Sequence, residues 1–127
     1  MKISVQYSTL IVKDLNESVS FYEDVLGFKR GYHVKLPVGQ ITIMESPDGA
    51  SVELIECSQF EVGIYSIGTD VDDLDEALKV LKSKGCEPLG PVMETTVGKQ
   101  TFILDPNGVK ICLIEHTAEY KKKYMER

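Results

Sequence analysis

Two segments of the chain are similar, with the same residue at five of ten positions, and each has a side chain that could take part in chemistry at the same place. PDGASVELIE begins at Pro47 and contains Glu53, whereas PNGVKICLIE begins at Pro106 and contains Cys112. A carboxylate can move a proton or hold a cation, and a thiol that loses its proton becomes reactive or binds zinc. The two segments therefore indicate where chemistry could take place.

Cys112 has a second interpretation as a core residue. Ile111 and Leu113 flank it, and a free cysteine in such surroundings commonly behaves as a small buried hydrophobic residue. We favour this interpretation over a reactive thiol. The chain has three cysteines and no Cys-x-x-Cys pair, so we expect free thiols and neither a disulfide framework nor a zinc knuckle.

The two histidines offer little support for a metal site. His116 lies four residues beyond Cys112, which is about 13 Å along a strand and too far to share one ion. We expect His116 to contact the C-terminal tail. His33, in RGYHVKL, could line the mouth of a pocket together with Tyr32, or it could have a surface or packing role, which we favour.

The repeated segments belong to a longer internal duplication. Their first residues are 106 − 47 = 59 positions apart, and a second pair, VKDLNES from Val12 and VDDLDEA from Val71, is separated by 71 − 12 = 59. Two matches that agree in spacing and order indicate that the two halves of the chain share one fold.

Each half predicts a strand, a helix and three further strands. Asp14 followed by Glu17 is typical of a helix N-terminus, and Gly27 ends that helix. Asp73 and Gly85 bound the second helix in the same way. Each helix is followed by a hairpin pattern, and SPDGA and DPNGV supply the last turn of each half. The result is one βαβββ module used twice.

With these elements the chain resembles the vicinal oxygen chelate superfamily, which contains glyoxalase I, methylmalonyl-CoA epimerase, extradiol dioxygenases and the bleomycin-resistance proteins. The resemblance covers about Ile3 to Glu115 and rests on VKDLNESVSFYEDVLGF, VDDLDEALKVLKSKG and LDPNGVKICLIE. It implies an α+β fold in which two tandem βαβββ modules form a curved mixed sheet with helices on the convex side. We expect a single domain over 1–127, with modules 3–57 and 62–116 and a short charged tail, 117–127.

The resemblance also implies four site positions, on the first and last strand of each module. They fall at Tyr7, Glu53, Ser66 and Cys112. The duplication agrees with this assignment, because 66 − 7 and 112 − 53 are both 59. Strand alternation predicts that these side chains lie on the face opposite the helices, in the concave pocket.

Metal-dependent members of the superfamily typically present imidazole and carboxylate at these positions. Here only Glu53 fits, because Tyr7 and Ser66 offer neutral hydroxyls. We therefore expect no cofactor, and a divalent metal ion held by Glu53 and Cys112 is the disfavoured alternative. Because this carboxylate would face an apolar cleft with no cation at the partner positions, we also expect desolvation to raise the pKa of Glu53.

The sequence leaves two functions open. We favour metal-independent binding of a small organic molecule in the concave pocket, as in the bleomycin-resistance branch, with Tyr7, Glu53, Ser66, Cys112 and His33 as ligand-binding residues. The alternative is a metal-dependent lyase, isomerase or epimerase that resembles glyoxalase I. In that enzyme Glu53 would be a metal ligand or the catalytic base.

The amino-acid composition disfavours some classes of binding partner. Twenty acidic against fourteen basic residues give a net charge of −6, which opposes binding to nucleic acid or to anionic membrane surfaces. No apolar run approaches the ~20 residues of a membrane span, and the first residues alternate like a strand and lack a signal-peptide cleavage site. We expect a cytoplasmic protein. The resemblance implies a homodimer, because small members commonly pair modules across chains.

Overall fold

The structure is a computed structural model that describes residues 1–47 and 49–126. The strands are β1 (Ile3–Val12), β2 (Lys29–Leu36), β3 (Gly39–Glu45), β4 (Ser51–Cys57), β5 (Gly63–Val71), β6 (Met93–Thr95), β7 (Gly98–Leu104) and β8 (Lys110–His116). The helices are α1 (Leu15–Ser20), α2 (Leu74–Ser83) and α3 (Ala118–Tyr120), and π-helical turns extend α1 over Phe21–Val25 and α3 over Lys121–Met125. Asp48 of the predicted SPDGA turn and Arg127 of the predicted tail lie outside the described residues.

The chain forms two compact units. The first unit comprises residues 7–65, and the second comprises residues 1–6 together with the chain from Ser66 onward. In the first unit the strand order is β2-β3-β4-β1, with β1 and β4 parallel and the other neighbours antiparallel. In the second unit the order is β5-β8-β7-β6, and β5 and β8 are the parallel pair.

The strand register repeats with the spacing of the sequence. Leu10 pairs with Leu54 in the first unit, and their counterparts 59 residues later, Thr69 and Leu113, pair in the second. The antiparallel pairs behave in the same way, because both predicted hairpins are present and turn immediately before Gly39 and Gly98. The predicted duplication is confirmed.

Matching signals begin and end the first two helices. The Asp14 side chain accepts a hydrogen bond from the backbone N–H of Glu17 at 3.1 Å, and Asp73 accepts one from Glu76 at 3.0 Å. Such a bond satisfies a backbone donor that has no partner within the helix. After the helices, Gly27 and Gly85 have φ values of 75° and 82°, a region that favours glycine. The predicted helix boundaries are thus confirmed.

The first helix differs from the prediction in its last turn. The spacing of Leu15, Val19, Tyr22 and Leu26 in the sequence predicts that these four side chains share one face of the helix. In the structure, however, Leu26 is 46% exposed. The Leu26 N–H bonds to the Phe21 carbonyl, five residues back, so the π-helical turn carries more residues per turn than an α-helix. This rotates Leu26 away from the face that Leu15 and Val19 bury.

Each unit has its own hydrophobic core between a helix and its strands. In the first unit, Leu15 and Val19 of α1 pack with Met44 of β3 and Leu54 of β4. The second core contains buried side chains from α2 and three strands, namely Val71, Leu74, Ala77, Ile103 and Leu113. Burial of apolar side chains on one face of each strand set therefore holds the helices in place.

The chain has the predicted α+β fold class, with two βαβββ modules that each contain a mixed set of parallel and antiparallel strands. Within the described ranges, no helix combines the length and the apolar character that a bilayer-crossing segment needs.

Candidate functional site

The first unit presents Glu53 on the face of its strands that is turned away from α1. Val52 and Leu54 of β4 pack with the α1 core, and neighbouring strand residues point to opposite faces. Leu10 and Val12 of β1 also pack with that core. The same alternation therefore places Tyr7 and Thr9 on the face of Glu53, which is called the Glu53 face below.

Thr9 is the direct partner of the Glu53 carboxylate. The two residues are paired in the parallel β1–β4 register, and the buried Thr9 hydroxyl Oγ1 donates a hydrogen bond to Glu53 Oε1 at 2.8 Å. The sequence analysis missed Thr9. A usable signal was present, because Thr9 lies two residues beyond Tyr7 and therefore on the same strand face.

Burial raises the pKa of the Glu53 carboxyl group above its ordinary value, and the hydrogen bond from Thr9 partly offsets this effect. The neighbour of Glu53 on β3 is the buried Ile43, which offers no polar group to stabilise a charge. The upward shift of the Glu53 pKa agrees with the prediction from the sequence. The surroundings favour the neutral acid, which can donate as well as accept hydrogen bonds.

His33 lies on the opposite side of the first unit's strands. It pairs with Thr42 on β3, and Thr42 pairs with Leu54 of the α1 core. The His33 Nδ1 and Thr42 Oγ1 atoms are 2.7 Å apart. The register thus separates His33 from the Glu53 face, which corrects the expectation that it joins the pocket of Glu53. On the α1 side, the ring of His33 contacts the Thr42 hydroxyl.

The second unit holds Ser66 and Cys112 on one face of its strands. Ile111 and Leu113 pack with the α2 core, so Cys112 between them points to the other face. Cys112 is paired with Gly68, two residues from Ser66 on the same side. Both side chains are buried, with 3% exposure for Ser66 and 5% for Cys112. Burial agrees with the interpretation of Cys112 as a small core residue. That Ser66 and Cys112 share a pocket with Tyr7 and Glu53 stays a prediction.

His116 anchors the start of the C-terminal segment in the second unit. Its Nδ1 lies 2.7 Å from Asp70 Oδ1, and its ring stacks on Tyr120 with centroids 4.7 Å apart. Burial lowers the pKa of His116, and Asp70 partly opposes that shift. The predicted tail contact is confirmed. The sequence analysis did not identify Asp70 as a partner, because the two residues are 46 positions apart.

The donor groups fit a metal site poorly. Among the described residues, no three His, Cys, Asp or Glu side chains lie close enough together to hold a metal ion. On the Glu53 face the donors at the predicted positions are one carboxylate, already bonded to Thr9, and the phenol of Tyr7. Neither the number nor the type of these donors matches the imidazole and carboxylate sets that bind zinc or nickel tightly.

Comparison with known proteins identifies the family. The model of the Glyoxalase/Bleomycin resistance protein/Dioxygenase superfamily matches residues 4–113. The chain belongs to this superfamily.

Individual proteins resemble this chain in sequence or in structure over most of its length. A lactoylglutathione lyase from Neisseria meningitidis serogroup A is 31% identical over 123 residues, covering 86% of this chain and 88% of the relative. Among solved structures, a methylmalonyl-CoA epimerase from Mycobacterium tuberculosis is 20% identical with a TM-score of 0.80, covering 94% of this chain and 91% of its own. A hypothetical protein from Bacillus halodurans C-125 is 18% identical with a TM-score of 0.79, covering 92% and 96%. The two structures support the fold alone.

Proposed function

We propose that the protein binds a small organic molecule on the Glu53 face without the help of a metal ion. The observation that carries this proposal is the state of Glu53, whose carboxyl group is fixed by Thr9 and has a raised pKa. In its neutral form, which a raised pKa favours, a carboxyl group can form a hydrogen bond with an uncharged group of a ligand and needs no counter-ion.

The groups around the Glu53 carboxyl determine which ligand groups it can bind. Because Glu53 Oε1 accepts the Thr9 hydroxyl, the second carboxyl oxygen can carry the proton and donate to a ligand carbonyl. Ile43 supplies apolar contact beside it, and the Tyr7 phenol lies on the same face. A mainly apolar surface with a few directed polar groups is typical of small-molecule sites. The ligand is therefore a carbonyl-bearing organic molecule.

A metal-dependent lyase or isomerase is the second candidate. The 31% identity to a lactoylglutathione lyase favours it. In that reaction Glu53 would act as an ionised base or as a metal ligand. Its burial opposes the charged form, and Tyr7, Ser66 and Cys112 occupy the positions where the resemblance implies imidazole and carboxylate. The binding function is therefore preferred.

Calorimetric titration separates the two candidates. The probes are lactoylglutathione and methylmalonyl-CoA, the compounds that the names of the relatives contain. Each is titrated into wild-type protein and Glu53→Gln, once with EDTA and once with added zinc or nickel. Glu94→Gln, which removes an exposed strand carboxylate in the second unit, is the control.

The binding proposal predicts that a probe binds to the EDTA-treated wild-type protein. Glu53→Gln should bind it within about tenfold, because the amide keeps a donor and an acceptor and tenfold is about 1.4 kcal/mol. Failure of both probes to bind in EDTA contradicts the proposal. Turnover that requires metal and is lost in Glu53→Gln supports the lyase instead.

A further inference from the structure

The first unit contains a cavity of about 450 Å³ on the α1 side of its strands. It lies between α1 and strands β2 and β3, and Leu15 and Val19 supply its apolar wall. Its polar lining includes Arg30, His33 and Thr42. The volume is within the range of small-molecule pockets, which is roughly 300–1,000 Å³.

This cavity is separate from the Glu53 face. Thr42, which lines the cavity, pairs with Leu54 of the α1 core, whereas Glu53 pairs with Ile43. Adjacent strand residues point to opposite faces, so a ligand in the cavity lies on the other side of β3 and β4 from Glu53. The cavity is therefore not part of the site proposed above.

The carboxylates beside the cavity already have partners, whereas a cationic donor remains available. Glu56 Oε2 accepts the Leu15 N–H at 2.6 Å, and its Oε1 lies 3.4 Å from Gln40 Nε2. Glu23 accepts from Nε and Nη2 of Arg30 at 2.8 and 3.0 Å. A guanidinium carries five N–H donors, more than one carboxylate uses. Arg30 can therefore bind a second carboxylate while it keeps Glu23.

The second unit supplies an internal comparison. The residues 59 positions after Arg30 and His33 are the apolar Leu89 and Val92. The counterpart of Gln40 is Lys99, whose Nζ lies 3.4 Å from Asp75 of α2, so an ion pair spans the gap between helix and strand. The two modules thus differ at Arg30 and His33, whereas Thr42 has the same residue, Thr101, at its counterpart position, and packing of the second module does not require the two basic side chains.

We propose that this cavity binds a small carboxylate with an apolar body. The apolar body contacts Leu15 and Val19, and the carboxylate accepts hydrogen bonds from Arg30. His33, whose Nδ1 is used by Thr42, has a second ring nitrogen for the ligand. Paired, charge-assisted hydrogen bonds of this kind make arginine well suited to carboxylate recognition.

An NMR titration of the ¹⁵N-labelled protein with benzoate tests the proposal, with benzamide as the uncharged probe of the same shape. Saturable benzoate shifts are expected in the amide signals of residues 15–20, 30–33 and 40–42. Benzamide should bind at least about tenfold more weakly, because hydrogen bonds from a guanidinium to a charged carboxylate are stronger than those to a neutral amide.

Two variants and a control make the test specific. Arg30→Leu/His33→Val installs the residues of the second unit, and Arg30→Gln changes a side chain that is 58% exposed and therefore spares the fold. Both should weaken benzoate binding by about tenfold or more. Lys99→Gln, which alters the corresponding place in the second unit, should leave the affinity unchanged. The proposal would be overturned if benzoate caused no saturable shifts, or if the shifts were confined to strand residues of the Glu53 face. It would also be overturned if benzamide caused equal shifts, or if the Arg30 variants bound benzoate with unchanged affinity.

Discussion

Glu53 shows how the position of a residue on a strand shifts the pKa of its side chain. Alternation along β4 turns it away from α1, and the register places Ile43 and Thr9 beside it. The face and the direction of the pKa shift could be predicted from sequence, because the face follows from local alternation and the raised pKa follows from burial beside apolar neighbours. The hydrogen bonds of Thr9 with Glu53 and of Asp70 with His116 could not be predicted, because contacts across 44 and 46 positions depend on the exact pairing of distant strands.

The raised pKa of Glu53 makes stability depend on pH. A carboxyl group whose pKa is higher in the folded than in the unfolded state stabilises the fold below its ordinary value of 4.5. That contribution is lost as pH rises through the folded-state pKa, at about 1.4 kcal/mol per unit of difference. Urea unfolding between acid and neutral pH should therefore show wild type losing stability relative to Glu53→Gln as pH increases. A relative gain with rising pH would contradict the raised pKa.

Thr9 is a positioning residue whose removal should change the titration of Glu53. Thr9→Val keeps the shape and removes the hydroxyl donor, so the ionised carboxylate loses its hydrogen bond and the pKa of Glu53 should rise further. Carbon-detected NMR titration of the Glu53 carboxyl measures this directly. Thr69→Val, which removes a buried hydroxyl that donates to the Cys112 carbonyl, should leave it unchanged. An unaltered or lower pKa in Thr9→Val would show that Thr9 does not tune Glu53.

At the scale of the helices, local sequence signals were sufficient to predict where α1 and α2 start and end. They were insufficient to predict the hydrogen-bonding pattern inside the first helix. Side-chain caps depend on residues three positions apart, so Asp14 and Asp73 could be identified from sequence. The π-helical turn at Phe21–Val25 could not, because nothing in the apolar pattern distinguishes a bond across four residues from one across five. The exposure of Leu26 follows from that single difference.

The N-terminal cap of α2 should contribute measurably to stability. Asp73→Ala leaves the Glu76 N–H without its side-chain partner and should lower the free energy of unfolding by about 1 kcal/mol. Asp73→Ser keeps a capping oxygen and should cost less. Chemical denaturation of both variants at one pH measures the difference. Equal losses in Ala and Ser would mean that the cap hydrogen bond contributes nothing.

At the scale of the whole molecule, the fold could be predicted because the two halves of the sequence repeat the same elements at one constant offset. The offset of 59 fixes the order of elements, and the observed registers repeat it. The α1-side cavity was beyond the sequence analysis, because it depends on how the side chains of three elements leave space between them. A repeat comparison at Arg30, His33 and Gln40 would have shown where the two modules differ.

A homodimer stays a prediction from the resemblance to the superfamily. Light scattering at micromolar concentration should report twice the mass of one chain, because small members commonly pair their modules across two chains. The mass of a single chain over that concentration range would contradict the dimer. Neither result alters the assignment of the fold.

The most direct measurement of the central claim is the metal content of the purified protein. Wild type and Glu53→Gln are purified without chelators, incubated with zinc or nickel, desalted and analysed by elemental mass spectrometry. Since the Glu53 face offers one carboxylate and a phenol at its predicted site positions, we expect far less than one equivalent of tightly held metal and the same content in both proteins. One equivalent retained by wild type and lost in Glu53→Gln would contradict metal-independent binding and establish Glu53 as a metal ligand.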